Sequence, residues 1–193
     1  MTVEPYRELI KKRLSPTRFE HSICVAKEAI RLSHKYGADK KKAELAGLLH
    51  DIMKDTNPDE QLQFLKECGI TLTKTERSAT KLWHAISGAA YLEFVLEIKD
   101  RDILNAVRYH TTARAGMSLL EKIVFIADFT SADRNYDGVE EIRNAASESL
   151  EKVMIEGISF TIDDLIKRRL PIHEDTFSAY NALLLENTVQ SKK

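Results

Sequence analysis

Residues 15–37, SPTRFEHSICVAKEAIRLSHKYG, decide the fold class. Serine followed by proline is a common helix start, because serine can cap the helix and proline suits the first helical position. Apolar residues then recur at helical spacing, as at Ile23, Ala26 and Leu32. Gly37 stands where a left-handed residue commonly ends a helix. The stretch therefore predicts one long helix.

Similar start signals recur along the chain and extend this prediction. They are Asp39, Asn57-Pro58 with Glu60, Thr73 with Glu76, Ser118 with Glu121, and a last start near Asp175. Such pairs are typical of capped helix N-termini. Residues 158–162, ISFTI, alternate as a strand would, but the run is too short to compete with the helical pattern. We predict an all-α fold of about eight to ten helices.

The composition agrees with a helical protein. Glycine and proline together make up 11 of 193 residues, or about half of average usage, which disfavours a β-sandwich or barrel. Hydrophobic residues reach 43%, enough for a real core. We expect one domain, residues 1–187, and a polar, frayed tail, residues 188–193.

Charge and cysteine content exclude several classes. The net charge of -1 predicts neither a nucleic-acid nor a membrane partner. No apolar run is long enough to span a bilayer, and the acidic start MTVEP is unlike a signal peptide. Cys24 and Cys68 form no CxxC pair, so we expect neither a disulfide framework nor a thiolate zinc site. A reducing, cytoplasmic location is expected.

The most unusual stretch is residues 48–55, LLHDIMKD. His50 and Asp51 lie within an apolar helical pattern, where a charged residue needs a partner or a metal. The plain alternative is a core histidine beside a satisfied aspartate. Asp128, which follows the apolar run IVFIA, raises the same question.

Four histidines and two aspartates together suggest a metal centre. The candidates are His21, His50, Asp51, His84, His110 and Asp128. Each further histidine, taken alone, is most simply a core or surface side chain. Together, imidazoles and carboxylates suit borderline divalent metals. Six ligands are too many for one catalytic ion with an open position, but fit two ions that share a carboxylate.

The order of these residues resembles the HD-domain superfamily of metal-dependent phosphohydrolases. Longer strings resemble its YqeK branch, described as bacterial symmetrical bis(5′-nucleosyl)-tetraphosphatases. They are LHDIMK (49–54), LWHA (82–85), RYHTT (108–112), MSLLEK (117–122), AD (127–128), DR (133–134) and PIHEDT (171–176). The resemblance spans residues 21–181. Ile86 stands where the family often has proline.

This resemblance implies a single helical bundle with a metal site between helices. The implied reaction splits diadenosine tetraphosphate into two ADP by attack of a metal-bound hydroxide. The implied metal is iron, as one or two ions, with manganese or cobalt as substitutes. The implied ligands are His21, His50, Asp51 and Asp128, with Asp51 as the bridge. His84 and His110 either complete a second metal site or contact phosphate, and the sequence leaves both roles open.

Further residues are candidates for catalysis and substrate binding. The catalytic candidates are Asp51, Lys54, His84, His110 and Arg134. Lys54 lies one helical turn after His50 and is expected on the same face; a solvated lysine is the alternative. The substrate-binding candidates are Arg18, His84, Tyr109, His110, Asp128, Arg134, Arg169, His173 and Tyr180. Arg169 has an ordinary alternative as a basic helix end. His34 matches no motif.

Other functions stay open from sequence alone. One is hydrolysis of another nucleotide, such as a nucleoside monophosphate or a guanosine alarmone. Another is a nucleotide-binding module without turnover, and a third is a di-iron oxygenase. Full retention of the six ligand candidates disfavours the module, and Lys54 and Arg134 favour phosphate over an organic substrate. A homodimer is an expectation from the family alone.

Overall fold

The protein is all-helical over the part that the structure describes. The computed structural model describes the backbone of residues 3–190 and the side chains of residues 3–186. The helices are α1 (Glu4–Arg13), α2 (Pro16–Tyr36), α3 (Lys40–Leu49), α4 (Pro58–Glu67), α5 (Lys74–Ser78), α6 (Trp83–Phe94), α7 (Arg101–Tyr109), α8 (Leu119–Thr130), α9 (Val139–Ala146), α10 (Leu150–Lys167) and α11 (Glu174–Gln190). A 3₁₀ turn, Thr80–Leu82, precedes α6. Residues 3–190 contain no β-strand, which confirms the predicted fold class.

Most of the predicted helix signals are confirmed. Gly37 ends α2 with φ +78°. Asp39 caps α3 by accepting two backbone N–H groups. Thr73 and Ser118 each form a complete capping box, on α5 and α8. Asn57 caps α4 by accepting from the Asp59 N–H, but the expected reciprocal bond from Glu60 does not form.

The helix count exceeds the prediction. Eleven α-helices lie within residues 3–190, where eight to ten were expected. Two of the helices are short: α5, whose start Thr73 and Glu76 predicted, has five residues, and α9, for which no start was predicted, has eight. Helix α9 also lacks a side-chain cap and starts after Gly138, whose φ is +88°. Such an element shows too little periodicity to be recognised in sequence.

The alternating run at 158–162 is helical. It lies within α10, where the hydroxyls of Ser159 and Thr161 donate to the carbonyls of Ile155 and Gly157, four residues earlier. Bonds of this kind let polar residues remain inside a helix. The predicted tail begins within α11, which continues to Gln190, and residues 191–193 lie outside the described residues.

Four helices form the centre of the molecule. Helix α2 packs on α3 and α8, and α7 packs on both α3 and α8. Gly47 permits the close approach of α2 and α3, since a Cβ there would lie 3.0 Å from Ala26 Cα. Helix α6 packs against α7 on the outside of this group. The space between the ends of these helices holds the polar cluster described next.

No described helix is long and apolar enough to cross a membrane. Cys24 and Cys68 are both free and half-buried, as their spacing predicts.

Candidate metal centre

The six residues predicted as metal ligands meet in one cluster between the central helices. His21 comes from the second turn of α2, and Asp128 from α8. His50 and His110 are the residues that cap the C-termini of α3 and α7. Asp51 follows His50, and His84 comes from the first turn of α6. All are buried except Asp128, which is partly exposed.

His50 and Asp51 differ from prediction in their backbone. Helix α3 ends at Leu49, so the pair lies just after the helix rather than inside it. The chain continues in tight turns, in which Lys54 N–H donates to the Asp51 carbonyl at 2.8 Å. The expectation that Lys54 lies one α-helical turn beyond His50 is therefore wrong. Its side chain reaches the cluster through this turn instead.

Asp51 lies at the centre of the cluster, with its two carboxylate oxygens facing different histidines. Oδ1 lies 3.1 Å from His84 Nε2 and 3.6 Å from His110 Nε2. Oδ2 lies 3.6 Å from His50 Nε2. A carboxylate with this arrangement can join two neighbouring ligand sets.

Asp128 faces the other side of the cluster. Its Oδ1 lies 3.0 Å from His21 Nε2 and 4.0 Å from His50 Nε2. Three overlapping triads have ligand atoms within 4.8 Å of one another: His21, His50 and Asp51; His50, His110 and Asp128; and Asp51, His84 and His110. The spacing suits one ion or two neighbouring ions.

Three histidines are held with Nε2 directed into the cluster. His50 Nδ1–H donates to the Gly47 carbonyl at 2.8 Å, and His110 Nδ1–H to the Val107 carbonyl at 2.7 Å. His21 Nδ1–H donates to Asp133 Oδ2 at 2.7 Å. Bonds at Nδ1 fix the tautomer and the ring orientation, as is usual for metal-binding histidines.

Several buried atoms of the cluster have no hydrogen-bond partner among the residues that the structure describes. They are His21 Nε2, His50 Nε2 and Asp51 Oδ1. The approach of His21 Nε2 to Asp128 lacks hydrogen-bond geometry despite its short distance. An unpaired buried polar atom costs about 1–3 kcal/mol. A divalent cation would satisfy all three atoms, so the residues present fit a metal site.

The protonation states also favour a cation. Burial lowers the pKa of both His50 and His84 to about 4. Both imidazoles are therefore neutral near pH 7 and keep a lone pair for a metal.

The two aspartates are ionised. Burial alone would raise the pKa of Asp51, but His50, His110 and His84 hold it well below the usual value. Burial likewise opposes ionisation of Asp128, and His21, His50 and Arg134 outweigh it, so that its pKa is also low. Two buried carboxylates of this kind require compensating positive charge.

Three cationic side chains surround the mouth of the cluster. Arg18 Nη1 lies 3.4 Å from Asp51 Oδ2. Lys54 Nζ lies 3.6 Å from Asp51 Oδ1 and 3.1 Å from His84 Nε2. Arg134 pairs with the Asp128 carboxylate, and its Nε–H donates to the Asp128 carbonyl at 2.7 Å. Each is about one-third exposed and can reach an incoming anion.

The remaining substrate-binding candidates make no hydrogen bond or ion pair with the six cluster residues in the described part of the chain. The Tyr109 ring has the guanidinium carbons of Arg108 and Arg114 at 5.1 Å and 5.2 Å from its centroid. Arg169 is exposed, and Tyr180 packs partly buried against the core.

His173 is buried beside Glu76 rather than in the cluster. Its Nε2 lies 3.5 Å from Glu76 Oε1, and its Nδ1 accepts from the Asp175 N–H. Thr176 Oγ1 donates to the Thr112 carbonyl, which joins this C-terminal segment to the chain just after His110. The segment thus borders the His110 side of the molecule.

The sequence did not identify two features of the site. Asp133 directs His21, although its only signal in sequence was its place before Arg134. A cavity of about 510 Å³ also opens beside Asp128 and Arg134, and aromatic residues line it. The aromatic residues come from α8, α10 and the loop between α8 and α9, so no single motif contains them.

Comparisons with known proteins were made on the whole chain. Residues 18–133 match the family model described as HD domain. This range contains all six cluster residues and Asp133.

Curated relatives cover nearly the full length. A protein of Halalkalibacterium halodurans named symmetrical bis(5′-nucleosyl)-tetraphosphatase is 40% identical over 93% of this chain and 95% of its own. A protein of the same name from Bacillus subtilis is 37% identical over 91% of this chain and 94% of its own. A crystal structure from Clostridium acetobutylicum, of a predicted HD superfamily hydrolase involved in NAD metabolism, superposes with a TM-score of 0.93 at 33% identity. The match covers 96% of this chain and 98% of that one.

Proposed function

The chain belongs to the HD domain family, and from that premise we propose that it splits diadenosine tetraphosphate symmetrically into two ADP. The observation that carries the proposal is the cluster of six ligand residues, with unpaired buried atoms, beside three cationic side chains. Two relatives at 37% and 40% identity, both named symmetrical tetraphosphatases, support the choice of substrate.

The cluster is suited to divalent metal. We assign a first ion to His21, His50, Asp51 and Asp128, and a second to Asp51, His84 and His110. Asp51 is the proposed bridge, because its two oxygens face different histidines. Iron is the proposed metal, with manganese or cobalt as substitutes. When bound, such ions polarise a phosphoryl oxygen and lower the pKa of an attacking water.

We propose that the three cationic side chains at the mouth of the cluster bind the polyphosphate of the substrate. Arg18, Lys54 and Arg134 lie on different sides of the cluster mouth, so they can contact successive phosphates of one chain. Positively charged groups that are already in position before the reaction stabilise the negative charge that develops on the phosphoryl oxygens. The leaving ADP is already a stable anion and needs little help from a general acid.

Lys54 also influences His84. Its Nζ lies 3.1 Å from His84 Nε2, and this neighbouring charge adds to burial in keeping the histidine neutral. A substrate phosphate would draw the ammonium group away from His84. If only one ion binds, His84 and His110 are the proposed phosphate contacts.

Residues near the C-terminal segment are proposed for the half of the substrate on the His110 side. They are Tyr109, Arg169, His173 and Tyr180. The bond between Thr176 and Thr112 supports this placement, because it holds the segment next to the end of α7. A homodimer, a cytoplasmic location and the absence of nucleic-acid partners remain predictions.

Product analysis tests the reaction. The protein is incubated with diadenosine tetraphosphate and ferrous, cobalt or manganese ions, and the products are separated by ion exchange. We expect ADP as the sole product, and no product in the presence of a chelator. AMP plus ATP would overturn the cleavage position. No turnover with any metal would favour another nucleotide, such as a nucleoside monophosphate or a guanosine alarmone, or a binding module.

Metal content tests the ligand assignment. We expect His50→Ala to lose bound metal and activity, because the variant removes a ligand to the first ion. His34→Ala is the matched control, since His34 is exposed and lies outside the cluster. Elemental analysis after gel filtration measures the metal. Full metal content in His50→Ala would contradict the assignment.

A further inference from the structure

An aromatic cavity adjoins the metal centre. It has a volume of about 510 Å³ and lies between the C-terminal part of α8, the following loop and the middle of α10. Its principal lining residues are Asp128, Phe129, Arg134, Tyr136, Gly157 and Phe160. This volume falls within the range usual for small-molecule sites.

The cavity wall presents aromatic side chains that are not fully buried in the core. Phe160 is 72% exposed, although phenylalanine is normally buried. Phe129 is partly buried and stacks at a tilt on Phe125, with ring centroids 5.1 Å apart. Tyr136 is held by a bond from its hydroxyl to the Phe129 carbonyl at 3.0 Å. These rings can receive a flat ligand.

Gly157 keeps the cavity open on the α10 side. A Cβ at this position would lie 3.8 Å from the Phe129 ring, which is ordinary contact. A larger side chain would extend into the space beside the ring. Glycine in the middle of a helix is unfavourable, so its presence requires a reason other than helix stability.

The cavity and the metal centre share two residues. Asp128 is a proposed metal ligand, and Arg134 pairs with it, while both also line the cavity. A ligand in the cavity therefore has its polar end beside the metal centre and next to a guanidinium group.

We propose that this cavity binds one nucleoside of the substrate, with its base on the aromatic wall and its first phosphates at Arg134. This inference rests on the proposed function. Base stacking on aromatic side chains is tolerant of sequence and contributes substantially to binding. Asp137, also in the lining, adds a carboxylate that can accept from a ribose hydroxyl.

The cleavage position agrees with this placement. Symmetrical hydrolysis breaks the central bond of the tetraphosphate, so two phosphates separate each nucleoside from the reacting centre. A nucleoside site must therefore lie close to the metal ligands, as the cavity does at Asp128. The second nucleoside would then lie on the opposite side, toward His84 and His110.

The test compares Phe160→Ala with Ile166→Ala. Both residues are exposed apolar side chains of α10, but Ile166 does not line the cavity. For Phe160→Ala we expect KM for diadenosine tetraphosphate to rise about tenfold, with little change in kcat. Calorimetry should show about tenfold weaker binding of ADP to the metal-loaded protein. Inhibition by inorganic pyrophosphate, which has no base, should not change. Gly157→Leu should act like Phe160→Ala, because it fills the cavity.

The outcomes separate this inference from the proposed function. If Phe160→Ala matches Ile166→Ala in KM and ADP affinity, the nucleoside site is wrong. Equal weakening of ADP and pyrophosphate would also overturn it, because the residue would then act on the structure and not on the base. If the wild-type protein does not cleave the tetraphosphate but ADP affinity still depends on Phe160, the proposed function fails and the nucleoside site stands.

Discussion

Asp133 shows how a residue that is not a ligand can determine the strength of a metal site. Its Oδ2 accepts from His21 Nδ1 at 2.7 Å, so that His21 Nε2 points toward Asp128 and His50. Burial lowers the pKa of His21, but Asp128 and Asp133 outweigh it and raise the pKa overall. Asp133, which accepts from Nδ1, makes the imidazole a stronger ligand through Nε2.

We expect Asp133→Ala to weaken metal binding about 10- to 100-fold, the usual effect of losing such a contact. Asp133→Asn should weaken it less, because the amide oxygen can still accept from Nδ1. Activity at saturating metal should be largely retained in both. Competition with a chelator measures the affinity, and Asp163→Ala, an exposed carboxylate on α10, is the control. An unchanged affinity in Asp133→Ala would contradict the supporting role of Asp133.

Among individual residues, the sequence identified those of the cluster but not Asp133, which holds His21 in position. All six predicted ligands meet, because an acidic or imidazole group inside an apolar helical pattern must face inward and find a partner. Asp133 and the aromatic cavity lie partly in the loop after α8. Helical periodicity predicts which side of a helix faces inward. It does not predict that a loop residue such as Asp133 contacts His21, which lies 112 positions earlier.

Close packing of α2 and α3 determines the distance between His21 and His50. The centroids of the two imidazole rings are 5.2 Å apart. His21 lies in α2, and His50 caps the C-terminus of α3. A Cβ on Gly47 would lie 3.0 Å from Ala26 Cα and 3.2 Å from the Val25 carbonyl oxygen. Both of these neighbours are backbone atoms and cannot move aside as a flexible side chain can.

We therefore expect Gly47→Ala to lower the free energy of unfolding by about 1–2 kcal/mol, because crowding exceeds the gain in helix propensity. Gly157→Ala makes the same change in α10, where the new Cβ meets only ordinary contacts. It should raise the free energy of unfolding by up to about 1 kcal/mol. Urea unfolding measures both. A stabilising effect of Gly47→Ala would show that the helices separate without cost.

Helices were predictable where start or stop signals and a full period coincide, as in α2 and α8. The expected capping bond from the Ser15 side chain does not form on α2, which instead begins with Pro16 and ends at Gly37. The turns at residues 50–55 were not, since LLHDIMKD has a helical pattern that continues past the end of α3. Tertiary contacts of His50 and Asp51 with the other helices override this local preference. Lys54 does lie near the site, as the sequence predicted. The prediction assumed an α-helical turn, whereas the chain forms tight turns there.

At the scale of the whole molecule, the central helices bury a polar cluster that would be costly without metal. Each of the four central helices supplies one residue of the cluster. Helix α2 supplies His21, the end of α3 supplies His50, the end of α7 supplies His110, and α8 supplies Asp128. Metal bound at the two proposed sites together would crosslink all four helices. Its binding energy adds to folding stability, because the unfolded chain has no such site.

Removal of the metal should make stability strongly dependent on pH. In the folded chain His50 and His84 have pKa values of about 4, against about 6.5 when unfolded. Between these values the unfolded state binds more protons, so the free energy of unfolding falls as the pH is lowered from about 6.5 to about 4. His21, whose pKa is raised, acts at higher pH: its stabilising contribution is fully present below about 6.5 and is lost as the pH rises through its folded pKa.

A series of urea unfolding curves from pH 4 to pH 7.5, in chelator, measures this dependence. We expect His84→Gln to have a shallower slope than wild type, by up to about 1.4 kcal/mol per pH unit, since one fewer proton is then taken up on unfolding. His34→Ala is the control. It leaves His84 in place, so the part of the slope that His84 contributes should not change. If His84→Gln and wild type have the same slope, the pKa of His84 does not differ between the folded and unfolded chains, which would contradict the burial of its imidazole in the cluster.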